Sequence, residues 1–95
     1  MSRRWGENKQ TISTLLKDIR KEAKFTQKEL AETLGEHQSY VSKYESGGKS
    51  LDYMEVRAIC SVCNLSLVKF ENRLTKALEK DSKINELLSS HGLTR

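Results

Sequence analysis

Gln38, Ser39, Ser42 and Lys43 are four polar residues within six positions, interleaved with Val41 and followed by Tyr44. At 3.6 residues per turn the polar positions gather on one face of a helix, while 41 and 44 turn the other way. The polar set has the chemistry of a base-pair reader. A glutamine amide matches adenine two-pronged, a serine hydroxyl donates or accepts, and a lysine ammonium reaches guanine or a phosphate oxygen. Taken alone, the same face is an ordinary solvated surface, so the neighbouring elements must decide its meaning.

Those elements are clearly punctuated. Thr26-Gln27-Lys28-Glu29 fits a capping box, in which the Thr26 hydroxyl accepts from the Glu29 amide and the Glu29 carboxylate reaches back. Phe25 and Leu30 flank it as a hydrophobic staple. The helix so opened spans about 27–34, and Gly35 stops it. Glu36 and His37 lead tightly into a second short helix, about 38–46, ended by Gly47 and Gly48. Two short helices joined by a Gly-containing turn are what a helix-turn-helix requires. Leu30, Ala31 and Leu34 are the natural packing partners of Val41 and Tyr44.

An earlier helix is expected from about Thr11 to Lys24, with Ile12, Leu15, Leu16, Ile19 and Ala23 on one face. Asp52-Tyr53-Met54-Glu55 is a second capping signal, opening a helix whose apolar body is Val56, Ile59, Cys60, Val62 and Cys63. Ser66 caps a fifth helix carrying Leu67, Phe70, Leu74 and Leu78. Past Asp81 the pattern resumes with Ile84, Leu87 and Leu88, either as one long helix or as a new one capped by Ser82. The expected class is all-α: a flexible basic arm over 1–10, a domain over 11–73 and a C-terminal helical extension over 74–95.

Composition narrows the classes. The 95 residues allow one small domain, and 17 Lys and Arg against 13 Asp and Glu leave a net charge of +4, which favours an anionic partner. The excess is uneven. Residues 1–24 hold seven basic and three acidic groups, whereas residues 25–50 hold three basic and four acidic, so selectivity must come largely from specific contacts. No apolar stretch approaches the roughly 18 residues of a membrane span. Arg3 and Arg4 have no apolar run behind them, so a secretory signal is not expected. Two cysteines make no disulfide framework, and a cytoplasmic location follows as the default. Cys60 and Cys63 lack the two further ligands that zinc needs, and the two histidines have no nucleophile partner. The expectation is a non-enzyme with no metal and no cofactor.

The stretches Leu16-Lys17-Asp18-Ile19-Arg20, Thr26-Gln27-Lys28-Glu29-Leu30-Ala31, Leu34-Gly35 and Val41-Ser42-Lys43-Tyr44-Glu45-Ser46-Gly47 stand in one combined spacing. In that spacing residues 12 to about 70 resemble the Cro/repressor-type helix-turn-helix of the Xre family, a five-helix repressor-like DNA-binding domain. The resemblance implies base contacts from Gln38, Ser39, Ser42 and Lys43. It implies that Gln27 bonds a phosphate and buttresses Gln38, and that the loop with Lys49 and Ser50 approaches the backbone. Lys28 and Tyr40 join the phosphate contacts, Tyr40 being equally placed to stack on a sugar or to lie half-exposed. Arg20 and Glu45 match a structural ion pair joining the first helix to the end of the third. Three positions depart from the pattern. Lys24 stands where many members have Gly, so it must take a positive φ or the helix must end differently; His37 replaces the usual Ser or Thr cap, and Leu51 replaces Pro.

The partner expected is double-stranded DNA, bound by a homodimer that represses at a palindromic operator. Arg3 and Arg4 can follow a minor groove or form a plain basic tail. Leu74, Leu78, Ile84, Leu87 and Leu88 are the candidate dimer or partner surface. The alternatives are an antitoxin whose C-terminal segment holds a toxin, a restriction–modification controller protein, or an adaptor that kept the fold without DNA binding.

Overall fold

The computed structural model describes the backbone of residues 2–90 and the side chains of residues 9–81. Five helices follow in order: α1 (Ser2–Glu22), α2 (Gln27–Leu34), α3 (Gln38–Glu45), α4 (Tyr53–Val62) and α5 (Leu67–Ser90). The chain is all-α, with no strand among the described residues. No described helix is long and apolar enough to cross a membrane.

The core lies where the helices meet. Leu16 of α1, Leu30 of α2, Val41 of α3 and Ile59 of α4 are each fully buried, and Phe70 of α5 closes the cluster. Each such side chain contributes about 1.5–3 kcal/mol by leaving water. This small centre fixes α3 against α1 and α2 while leaving its far face open.

Local chemistry sets the ends of the helices. Both capping boxes are formed: the Glu29 amide donates to the Thr26 hydroxyl at 3.0 Å, and the Glu55 amide donates to Asp52 at 2.8 Å. The Ser66 hydroxyl accepts from the Lys69 amide at 3.2 Å, opening α5. Two corners share one construction. After α1 the Phe25 amide returns to the Arg20 carbonyl with Lys24 at φ 67°, and after α4 the Leu65 amide returns to Cys60 with Asn64 at φ 59°. The left-handed conformation costs a side chain about 1–2 kcal/mol. Lys24→Gly is therefore expected to raise stability by about 0.5–1 kcal/mol, the gain being trimmed by the greater freedom of unfolded glycine. Thermal unfolding of the two proteins checks this, and a lower midpoint would show that the Lys24 side chain contributes contacts of its own.

The structure corrects two expectations and decides a third point that the sequence left open. Residues 2–10 are helical rather than an irregular arm, because α1 begins at Ser2. The lone Gly6 lies inside that helix; one glycine costs about 1 kcal/mol there, and no proline adds to it. The chain beyond Asp81 continues α5 as one helix to Ser90, with Ser82 interior to it. No break falls between 73 and 74 either, since α5 runs through both and lies along α1. Arg73 holds Glu22 with two hydrogen bonds of 2.7 and 2.9 Å, and Thr11 donates to Asp81 at 2.6 Å. That bidentate contact draws the Glu22 carboxyl below its usual pKa.

Candidate nucleic-acid interface

Helices α2 and α3 pack closely across a turn that depends on Gly35. Its φ of 75° lets its own amide bond the Glu32 carbonyl and the Glu36 amide bond the Ala31 carbonyl. His37 has the extended conformation of a cap but gives α3 no side-chain cap bond. The turn and the packing of Val41 and Tyr44 against the core therefore hold the first turn of α3 in place. The opposite face carries Gln38, Ser39, Ser42 and Lys43, all exposed.

Behind Gln38 runs a chain of four side chains. Arg20 of α1 and Glu45 of α3 are each 7% exposed and form a two-pronged pair, Nε to Oε2 at 2.7 Å and Nη2 to Oε1 at 3.0 Å. A third donation, from Arg20 Nη1 to the Phe25 carbonyl at 2.7 Å, ties the α1–α2 corner to the same group. The hydrogen bond to Glu45 raises the Arg20 pKa further, against the opposing effect of burial. Glu45 Oε1 also accepts from Gln27 Nε2 at 3.0 Å, and Gln27 Oε1 faces Gln38 Nε2 at 3.4 Å, the outer end of hydrogen-bond reach.

This chain fixes which way each amide points. An ionised carboxylate only accepts, so the Gln27 amide must turn its nitrogen to Glu45 and its oxygen to Gln38. Gln38 then gives one N–H to Gln27 and keeps its oxygen and second N–H for solvent. One acceptor beside one donor is the pattern that adenine matches in a major groove. Gln27 itself keeps a single N–H outside these bonds.

A second group of side chains supports the loop after α3. Tyr40 is half-buried, meets the Tyr44 ring edge-on at 5.6 Å, and donates its hydroxyl proton to Glu55 at 2.9 Å. Burial first, then the bond to Glu55, pushes the Tyr40 pKa up, so the proton stays. That hydroxyl was expected among the phosphate contacts, but its one proton is committed to Glu55. The same ring faces Lys49, whose ammonium lies 5.6 Å from the ring centre and 3.9 Å from Glu55. The Glu55 pKa is drawn down, first by the Asp52 amide and then by Tyr40. Sequence reading found Glu55 only as half of a capping box and missed this second role. No local signal announces it, because Tyr40 lies 15 residues away in sequence.

The remaining candidates are scattered more widely. Lys28 and Ser50 are exposed beside this face. Leu74 and Leu78 are half-buried on the side facing α1, where Leu74 packs on the core. Arg3, Arg4, Ile84, Leu87 and Leu88 have side chains outside the described residues. Cys60 and Cys63 are buried and unpaired, and no group of metal-ligating residues occurs among the described ones.

Comparison with known proteins agrees with this architecture. The family model described as helix-turn-helix matches residues 16–70. A solved structure of the clp gene regulator ClgR from Corynebacterium glutamicum superimposes with a TM-score of 0.62 at 20% identity, over 88% of this chain and 94% of that one. At that identity the likeness concerns the fold. No curated protein matches.

Proposed function

Because this chain belongs to the Xre-type helix-turn-helix family, we propose that it is a sequence-specific DNA-binding transcriptional regulator acting as a cytoplasmic homodimer. Helix α3 enters the major groove, and a pair of such helices about 34 Å apart reads a palindromic operator. Repression follows from occluding promoter DNA. The observation that carries this reading is the Gln38 amide, held by Gln27 with an adenine-matching edge turned outward. Ser39, Ser42 and Lys43 extend the same reading face, while Gln27, Lys28, Lys49 and Ser50 fix the frame on phosphates.

Selection of bound sequences from a random duplex library tests the reading. A palindromic motif with half-sites about 10 base pairs apart is expected, and no enrichment at low salt would favour a protein-only adaptor. Lys49→Ala separates frame from reading. It is expected to weaken all sequences alike and to lower the salt dependence by about one counterion. A changed base preference in that variant would move Lys49 from the backbone to the groove.

A further inference from the structure

Away from the α3 face, a cleft of about 510 Å³ opens between α1, α5, the start of α4 and the loop after α3. That volume falls among small-molecule pockets, about 300–1,000 Å³. Most of its wall is aliphatic: Ile12, Leu16, Leu51, Val56, Leu74 and Leu78. We propose that this cleft binds a medium-chain aliphatic monocarboxylate, its tail along the aliphatic wall and its head accepting from the Tyr44 hydroxyl.

The polar groups of the wall select that head. Tyr44 is 1% exposed, and its hydroxyl has no hydrogen-bond partner among the described residues. A buried donor left without an acceptor is costly, so one that persists asks for an explanation. Ser13 also lines the cleft, but its proton goes to the Lys9 carbonyl at 3.0 Å, and Ser50 is exposed to water, which leaves Tyr44 as the buried donor without an acceptor. Two basic residues, Lys9 and Lys49, line the same cleft, and among the described residues no Asp or Glu does. Glu55, 3.9 Å from Lys49, is not part of the wall. An anionic acceptor on an aliphatic tail satisfies the wall, the donor and the charge together. An alcohol offers no charge to Lys9, and a cationic head is repelled by both lysines.

The cleft also reaches the DNA-binding side. Lys49 and Ser50 line it and belong to the loop placed against phosphates. A carboxylate that draws Lys49 inward removes one cation from the DNA, so occupation weakens operator binding, and DNA weakens ligand binding by the same factor. This consequence rests on the DNA-binding reading, whereas the site does not.

The full chain titrated calorimetrically with decanoate, below its micelle threshold, tests the site. Decanol and decyltrimethylammonium serve as head-group controls. Saturable one-to-one binding of decanoate is expected, with both controls weaker by about tenfold or more. Tyr44→Phe keeps the ring and removes only the donor. Its decanoate affinity is expected to fall about tenfold while its thermal midpoint stays level or rises, because the orphan hydroxyl is gone. A hydroxyl with a merely structural role would lower the midpoint too. No decanoate binding at millimolar concentration, equal affinity for all three head groups, or unchanged affinity in Tyr44→Phe would each overturn the proposal. A parallel titration of selected DNA keeps the two readings apart. Decanoate binding without any DNA binding would sink the regulator and leave the site, whereas DNA affinity blind to bound decanoate would sink the coupling.

Discussion

Glu45→Ala is expected to destabilise the domain by about 3–5 kcal/mol, because it leaves the Arg20 guanidinium buried without its partner. Domains of this kind have total stabilities of about 5–15 kcal/mol, so much of the variant would be unfolded under mild denaturant. The size of the effect comes from the asymmetry of burial. Arg20 and Glu45 lost much of their hydration when the domain formed, and the two-pronged bond replaces it. Removing one side alone keeps the desolvation penalty and discards the compensation. The double change Arg20→Met with Glu45→Met removes both charges and is expected to cost less than Glu45→Ala by itself. Urea unfolding of the single and double variants measures the coupling. A Glu45→Ala protein within about 1 kcal/mol of the parent would show that water reaches the pair and that the domain does not depend on it.

Gln38→Ala is expected to lower affinity for the selected operator by about 1–3 kcal/mol, roughly 10–100-fold, and to relax one base-pair position in each half-site. Stability should hardly change, since Gln38 is exposed and touches only Gln27 at 3.4 Å. Gln27→Ala should reproduce part of the loss, because Gln38 would then be free to rotate while its own base-reading atoms remain. Binding of both variants to the selected site and to single-base changes of it provides the measurement. If Gln38→Ala lost affinity equally for every sequence, the glutamine would be a frame contact and the reading face would have to lie elsewhere on α3.

Much of this arrangement was legible before any coordinates. Thr26 with Glu29, and Asp52 with Glu55, announce their helices because a capping box is closed within four residues. The pairing of Arg20 with Glu45 came from resemblance, since nothing local connects two residues 25 apart. The positive φ of Lys24 was one of two outcomes left open by the same comparison, and the corner geometry decides it. What sequence reading missed depends on tertiary neighbours. Tyr40 meets Glu55 across 15 residues, and α1 meets α5 through contacts 51 and 70 residues apart. The start of α1 was misplaced because sparse hydrophobic residues and one glycine read as an arm.

The buried cysteines have a practical consequence. Burial pushes the Cys60 thiol up to about 11, and that of Cys63 is raised as well, by burial first. At neutral pH only about one Cys60 in ten thousand is then the reactive thiolate, and it faces the inside of the core. Peroxide or an alkylating reagent therefore finds almost no thiolate to attack at Cys60 or Cys63 while the helices stay closed. The same thiols become reactive once the chain opens, so the molecule carries an internal clock: under a fast reagent, each labelling event records one excursion out of the folded state.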